Sequence, residues 1–249
     1  AGLPNAIGGL FELVRTGAMS IPVVLLIIAL VVLVTYLVVF VERGFTDEHK
    51  AAPRWERMTE DSGIVVFRQE VPGSSVIAFK GVGTVDAPLS QVIAAVTDTP
   101  RATEWMDATV ESRVLRKVSP LEQIVYTHIK TPPGLTDRDF VTDARGELDP
   151  TVKRFTVHIR SVTDPAAPQT SFVRGEIYKS SFVLTGIEGG KRTLVTTEIH
   201  ADPKGSIPTF IANAFQKDWP IHTIKNLRKQ AQKPDVHPSP ELAAALAKA

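Results

Sequence analysis

The longest apolar stretch of the chain lies near its start. Residues 21–41 contain no charged side chain, and Thr35 and Tyr36 are their most polar members. At about 1.5 Å per residue in a helix, such a run crosses a hydrocarbon core of about 30 Å. A buried core helix would carry a polar stripe, and a cleaved signal peptide would have a shorter apolar region followed by small residues. The pattern therefore predicts a transmembrane helix over residues 21–42.

The segments on either side of this run are interpreted from spacing and charge. Residues 1–20 carry apolar side chains at helical spacing, which is typical of a segment at the membrane interface, although a simple linker turn fits equally well. Residues 43–54 form a polar linker. Basic residues are more numerous just after the run than before it, where Arg15 stands alone. This bias favours a cytosolic position for the domain that follows.

Beyond residue 54 the pattern changes to short β-rich segments between two helices. A turn at 71–74 joins two of these segments into a predicted hairpin, and Pro88 begins a helix with apolar residues every three to four positions. A longer helix with a broad apolar face is predicted over 207–232. The predicted strands are residues 63–70, 76–85, 110–117, 123–130, 140–148, 154–161, 172–185 and 192–201.

These segments predict an α+β domain over residues 55–232, built on about eight or nine antiparallel strands. Residues 233–249 are rich in Pro and Ala and are predicted to form a disordered tail.

Two of the predicted strands carry a mixed polar and aromatic side. Alternate residues of a strand point to the same side of a sheet, so Arg174, Glu176 and Tyr178 share one side of their strand. Glu198 and His200 share one side of another strand. Sides of this kind line a ligand chamber if they face inward and are ordinary solvated surfaces if they face outward. The spacing does not decide between the two directions.

Composition narrows the possible functions. A net charge of +1 on 249 residues gives no excess of positive charge for wrapping nucleic acid, and 43% hydrophobic residues are enough to bury one core. The chain has no cysteine, which excludes disulfides, thiolate nucleophiles and cysteine-ligated zinc. The sequence shows no paired carboxylates and no metal-ligand cluster. We therefore expect no catalytic residues, no metal and no cofactor.

Three motifs occur in a specific order and spacing. They are Arg-Asp-Phe-Val at 138–141, Val-Arg-Gly-Glu at 173–176, and Asp-Pro-Lys-Gly-Ser-Ile-Pro at 202–208, followed by Phe-Ile-Ala-Asn at 210–213. Trp105, just after the first helix of the β-rich part, fits the same pattern. Together these motifs resemble the START family of lipid-transfer domains, and the resemblance extends over residues 55–232.

The resemblance implies a helix-grip fold, in which a curved antiparallel sheet and a long C-terminal helix enclose a central cavity. It implies a domain that binds a single lipid, either a sterol or a phospholipid, and transfers it to or from the membrane that anchors the chain. Two alternatives remain open. One is a membrane-anchored lipid sensor or adaptor, and the other is a cyclase- or hydrolase-type enzyme that uses His128, His158 or His200 as acid or base.

By position, the loop at 131–137 corresponds to the family's gating loop, opposite the last helix, although a stiff hairpin connection is also compatible with its sequence. Arg138 and Asp139 are assigned to structural ion pairs beneath this loop. The residues assigned to the gate are Pro132, Pro133, Gly134, Leu135 and Phe210.

Ligand contacts are assigned to the polar and aromatic residues of the expected cavity. In the cholesterol-binding branch of the family a buried carboxylate and an arginine meet in the tunnel, whereas this chain has Ile129 and Ala144 at those positions. Sterol recognition through that pair is therefore not expected. The residues assigned to ligand binding are Trp105, Tyr126, His128, Arg174, Glu176, Tyr178, Glu198, His200, Phe210 and Ala214.

Overall fold

The computed structural model describes residues 29, 30, 32–34 and 54–247. The chain divides into two compact units, Ala1–Ala52 and Pro53–Ala249. The predicted interfacial segment at 1–20, most of the predicted span at 21–42 and nearly all of the linker at 43–54 lie outside the described residues. No helix within the described ranges combines the length and the apolar character needed to cross a bilayer.

Ten strands of the second unit form one sheet. Their order is β1-β2-β3-β10-β9-β7-β6-β5-β4, with antiparallel pairing between neighbours, while the short β8 pairs with β6 in parallel. The strands are β1 (Glu56–Asp61), β2 (Ile64–Gln69), β3 (Ala78–Val85), β4 (Thr109–Ser119), β5 (Glu122–Ile129), β6 (Arg138–Asp149), β7 (Arg154–Ser161), β8 (Val173–Arg174), β9 (Glu176–Ile187) and β10 (Arg192–Asp202).

The predicted antiparallel sheet is confirmed, with two differences. Strand β1 was not predicted, because its sequence is almost entirely polar and only its pairing with β2 makes it a strand. The single strand predicted over 172–185 is divided at Gly175 into β8 and β9. A Cβ atom at Gly175 would lie 2.3 Å from the ring of Phe140, so only glycine allows this ring to pack against the backbone.

Three α-helices accompany the sheet: α1 (Leu89–Thr97), α2 (Thr209–Gln230) and α3 (Pro240–Ala247). The prediction of α1 after Pro88 is confirmed, and a short 3₁₀ helix, Thr99–Glu104, follows it. Helix α2 begins after Pro208 and continues past Pro220. It is therefore close to the helix predicted over 207–232.

Helix α2 packs most closely on the sheet through its second half, whereas its first half is attached through the buried Ala212 and through hydrogen bonds of Asn213 and Gln216. A Cβ atom at Gly81 of β3 would lie 2.6 Å from the Cβ of Pro220, so the helix backbone rests almost directly on the strand. Ile224 and Leu227 are fully buried in the same interface. In the first half, Phe210 is 74% exposed and Phe215 is 57% exposed. The two halves therefore differ in how firmly they are held.

Apolar side chains are buried on both sides of the sheet. The main core lies between the sheet and helices α1 and α2, where Phe155, Leu184 and Val195 are fully buried. A smaller core on the opposite side is formed by Ile124, Tyr126 and Val141.

The predicted disordered tail at 233–249 is corrected over its described residues. Val236 is 2% exposed and Leu242 is 5% exposed, and both belong to the main core. Ser239 is the N-cap of α3, and its hydroxyl accepts a hydrogen bond from the Leu242 amide at 3.2 Å. Pro and Ala content alone suggested mobility, but two apolar side chains that find buried positions are enough to order the segment.

Candidate ligand cavity

An internal cavity of about 510 Å³ lies between the sheet, the end of α1 and the 3₁₀ helix. Strands β4 to β7 supply most of its wall, and β9 and β10 supply the rest. Helix α2 contributes Trp219, and residues 237–242 close one end. The inner side of the sheet is therefore only partly filled by the protein's own side chains.

Aromatic rings form one continuous part of the cavity wall. The rings of Trp105 and Phe182 meet edge to face at 6.2 Å between centroids, and Phe182 and Trp219 do so at the same distance. These rings come from the 3₁₀ region, from β9 and from α2, so the wall exists only when the three elements are assembled. Rings in these orientations present large apolar surfaces to a hydrophobic ligand.

A few polar groups interrupt the apolar lining. Gln123 donates a hydrogen bond to the Thr99 hydroxyl at 2.5 Å, and the Ser180 hydroxyl donates to the Glu198 carbonyl at 2.8 Å. Trp105 is 4% exposed, and its Nε1–H has no hydrogen-bond partner within the described part of the chain. This donor is therefore both buried and unsatisfied among the described residues.

Trp105 is the one residue of the predicted ligand-binding set that lines the cavity. The assignment of Tyr126 and His128 to ligand binding is corrected. Gln123, Val125, Thr127 and Ile129 line the cavity, and because side chains alternate along a strand, Tyr126 and His128 lie on the opposite side of β5. The Tyr126 ring packs in the smaller core. His128 lies 2.9 Å from Asp137 and stacks on Phe172 with 4.0 Å between ring centroids.

A β-bulge displaces Glu176 and Tyr178 from the inner side of β9. In the pairing with β10, His200 opposes Lys179 and Ala201 opposes Ile177, so Tyr178 is the extra residue. An extra residue reverses the alternation. Ser180 and Ile177 therefore line the cavity, while Glu176 and Tyr178 contact Lys204 outside it.

Glu198 and His200 also point away from the cavity, since Ile199 and Ala201 of the same strand line it. Glu198 pairs with Lys179 at 3.1 Å. His200 Nε2 lies 2.9 Å from the Ser74 hydroxyl, and burial lowers the pKa of this histidine. The mixed polar side of β10 is thus a hydrogen-bonded outer surface, and its assignment to ligand binding is corrected.

Arg174 is largely exposed, pairs with a buried carboxylate and does not reach the cavity. Its Nε donates to a carboxylate oxygen of the fully buried Asp139 at 2.6 Å, and the Thr170 hydroxyl donates to the other oxygen at 2.8 Å. Burial alone would raise the pKa of Asp139, but the hydrogen bonds from Arg174 and Thr170 outweigh it and lower the pKa. Asp139, which was assigned to a structural ion pair, thus has Arg174 as its partner.

The buried Arg138 joins the loop at 131–137 to the turn that precedes α2. Its guanidinium donates to the carbonyls of Thr136, Pro203 and Lys204, the last at 3.0 Å. Three backbone acceptors thus take the place of the predicted ion pair. Within the loop, the Leu135 amide donates to Pro132 at 3.2 Å, and Gly134 has a φ of 90°, which a tight turn of this kind requires.

The predicted gate residues lie at the surface beside this link. Pro132, Pro133 and Gly134 are exposed and Leu135 is half-buried. Neither Leu135 nor Phe210 lines the cavity, and Ala214 is exposed on α2. The assignment of Phe210 and Ala214 to ligand contacts is corrected, because both lie on the solvent side of the helix.

The domain has a long helix on a curved sheet and a mostly apolar cavity beside the sheet, and the sequence matches the START domain family over residues 45–235. The chain belongs to the START domain family.

Relatives of this START domain occur in bacteria and mammals. The chain is 28% identical over 184 residues to an uncharacterized protein of Pseudomonas aeruginosa, covering 73% of this chain and 89% of that protein. It is 26% identical over 182 residues to the phosphatidylcholine transfer protein of Mus musculus, covering 72% and 84%.

A solved structure of similar fold is a fragment of the STAR-related lipid transfer protein from Xanthomonas axonopodis. It is 27% identical and has a TM-score of 0.63, with 72% of this chain and 99% of that chain covered.

Several lining residues of this START domain were not identified from the sequence. Gln123, Val125 and Thr127 lie on the inner side of β5, and Phe182 and Trp219 complete the aromatic wall. The odd-numbered positions of β5 combine apolar and small polar side chains, which is a signal that alternation alone could have supplied. Trp219 carried no such signal, because its contact with Phe182 depends on where α2 lies.

Proposed function

We propose that this START domain binds a single lipid molecule in its cavity and transfers it to or from a membrane. The mostly apolar cavity with its aromatic wall carries this proposal, because a space of this kind shields hydrocarbon from most of the surrounding water. Transfer through water alone would expose about 18 carbons of a lipid chain, at a cost on the order of ten kcal/mol.

Among the two lipid classes expected, the lining favours a phospholipid over a sterol. Ile129 and Ala144 both line the cavity, so the wall is apolar at the two positions where the cholesterol-binding branch places its polar pair. The relative from Mus musculus is a phosphatidylcholine transfer protein. Among the described lining residues Lys117 is the single lysine, and it is paired with Glu241 at 2.7 Å. A zwitterionic headgroup suits a lining without an unpaired cationic cluster.

The apolar run at 21–42 is proposed to anchor the chain in one membrane, with the lipid-binding domain on the cytosolic side. Anchoring raises the effective concentration of the domain at the surface where it loads or releases lipid. The proposal depends on the uncharged run and on the basic residues that follow it.

Gating is proposed at the loop 131–137 and the first half of α2. Phe210 and Phe215 are exposed on that half, and Arg138 links its preceding turn to the loop. A membrane surface would accept these exposed rings as the two elements move.

Two alternatives make different use of the same cavity. A lipid sensor would bind without transferring, and a vesicle-to-vesicle assay separates it from a carrier. An enzyme would need an acid or base at the ligand. The three histidines considered for that role, His128, His158 and His200, lie outside the lining, whereas His237 belongs to it.

The first test is mass spectrometry of lipids that remain bound to the purified full chain. One phospholipid per chain is expected, and a cavity that holds no lipid would count against the proposal. Leu135→Asp and Phe210→Asp should slow transfer of phosphatidylcholine between vesicles by about tenfold while leaving the melting temperature nearly unchanged. Val152→Asp is the matched control, since Val152 is also exposed but lies in the turn between β6 and β7. Equal transfer by all four proteins would reject the gate.

A further inference from the structure

Residues 233–247, called here the distal segment, form one end wall of the cavity. They extend past the match to the START domain family, which ends at residue 235. His237, Ser239, Glu241 and Leu242 all belong to the cavity lining. The rest of this end consists of Thr99 and Pro100 with residues 119–122 at the tip of the β4–β5 hairpin. The distal segment therefore fills a gap between the 3₁₀ helix and that hairpin.

Few contacts hold the distal segment in this gap. Val236 and Leu242 are its two apolar anchors in the main core. Its polar contacts are a hydrogen bond from Arg101 to the Asp235 carbonyl at 3.2 Å and three ion pairs: Lys233 with Glu104 at 2.7 Å, Asp235 with Arg101 at 3.1 Å, and Glu241 with Lys117 at 2.7 Å. Both side chains of the Glu241–Lys117 pair are largely exposed, and exposed pairs of this kind are weak.

The remaining cavity walls are held in a different way. The β4–β5 hairpin and the other strands are hydrogen-bonded to their neighbours in the sheet. The distal segment contains no strand of that sheet and makes no such pairing. Helix α3 has eight residues, and an isolated helix of that length is unstable in water. Its helical state therefore depends on docking. The distal segment is the part of the wall that separates at the lowest cost.

We propose that the distal segment is a movable cover over a second opening of the cavity, between the 3₁₀ helix and the β4–β5 hairpin, and that lipid exchange requires its displacement. This inference rests on the proposed lipid-binding function and assigns that cavity an opening distinct from the loop at 131–137. Burial of Val236 and Leu242 holds the distal segment in the closed position, and its ion pairs with Arg101, Glu104 and Lys117 fix where it lies.

Crosslinking tests the cover directly, because the chain has no cysteine of its own. The full chain carrying both Lys117→Cys and Glu241→Cys is reconstituted into phosphatidylcholine vesicles. The experiment measures how fast a phosphatidylcholine with a fluorescent acyl chain is transferred to acceptor vesicles. A short bismaleimide crosslinker should lower this rate by about tenfold. The same double variant without crosslinker is the control, and equal rates with and without the crosslink would overturn the proposal.

A second variant tests the cover from the opposite side. Leu242→Asp places a charge at a buried anchor and should raise the exchange rate by about threefold or more. Ala243→Asp is the matched control in the same helix, because Ala243 is exposed, and it should exchange at the parent rate. If Leu242→Asp unfolds the domain, the crosslinking result decides. A parent chain that carries no phosphatidylcholine overturns the lipid-binding function itself, whereas a parent that exchanges lipid at a rate unaffected by the crosslink overturns only the cover.

Discussion

The two halves of α2 belong to one continuous helix but are held in opposite ways. Residues 220–230 rest on β3, where Gly81 and Gly83 leave room for Pro220 and Ile224 to approach the strand backbone. Residues 209–218 are held by fewer contacts, the buried Ala212 and the hydrogen bonds of Asn213 and Gln216. Phe210 and Phe215 of this half extend into solvent. The second half therefore stabilises the domain, and the first half is available to move or to contact another surface.

This difference shows how one element can serve stability and access to the cavity together. Trp219 lies at the junction of the two halves and touches the cavity wall through Phe182. Movement of the first half would therefore disturb the wall without separating the second half from the sheet. Local opening of this kind costs less than global unfolding.

The largest expected effect is in the second half of the helix. Leu227→Ala should lower the free energy of unfolding by about 2–5 kcal/mol, because it leaves a cavity at a fully buried position. Phe215→Ala should change it by less than about 0.5 kcal/mol, since the ring is mostly exposed. Denaturant unfolding of both variants measures the contrast. Similar losses in the two variants would show that the halves are held equally.

A smaller effect is expected from the strand beneath the helix. Gly81→Ala places a methyl group against Pro220 and should cost about 1–3 kcal/mol in the free energy of unfolding through overpacking. Gly186→Ala is the matched control, because a Cβ atom there meets its nearest neighbour at 3.7 Å, an ordinary contact distance. Thermal unfolding compares the two, and a Gly81→Ala protein as stable as its control would mean that the helix shifts freely on the strand.

The smallest effect concerns the turn that leads into the first half. Burial alone would raise the pKa of Asp202, but hydrogen bonds from Lys204 and Tyr178 outweigh it and lower the pKa. The stability that this carboxylate contributes is therefore present above its unfolded pKa of 3.8 and is lost as pH falls through the lower, folded value. We expect a loss of less than about 1 kcal/mol, because the pair with Lys204 is partly exposed.

Hydrogen exchange at neutral and acidic pH, corrected for intrinsic rates, locates this loss. Protection should fall at residues 203–215 and remain at 220–230, and Asp202→Asn should reproduce the change at neutral pH. An equal loss of protection in both ranges would contradict the division of the helix into two halves.

The positions of the strands were largely predictable from the sequence, whereas the side of each strand that faces the cavity was not. Strand β7 occupies 154–161 as predicted, because turn residues on both sides bound a run with β-forming side chains. On β9 the same reasoning placed Tyr178 beside Ser180 on one side. The bulge between His200 and Ala201 breaks that alternation, and a bulge depends on the pairing of two strands distant in sequence.

The polar residues assigned to ligand binding could not be placed from the sequence either. Arg174 and His200 carry groups that suit ligand recognition, but each has a partner within the protein, Asp139 for the first and Ser74 for the second. Burying a polar group without a partner is costly, so folding satisfies such groups wherever it can. Trp105 was assigned from the family resemblance, and its ring lies in the cavity wall against Phe182 of the distant strand β9.

By itself the sequence determined the family, most of the strands, helices α1 and α2 and the absence of thiol chemistry, since all of these depend on residue types at short spacing. The tertiary structure alone decided which side of each strand faces the cavity and how the halves of α2 differ. It also decided that Val236 and Leu242 are buried in the core, which places residues 237–242 at one end of the cavity. These features arise from contacts between distant parts of the chain, and the free energy of such contacts is set by packing that no local pattern records.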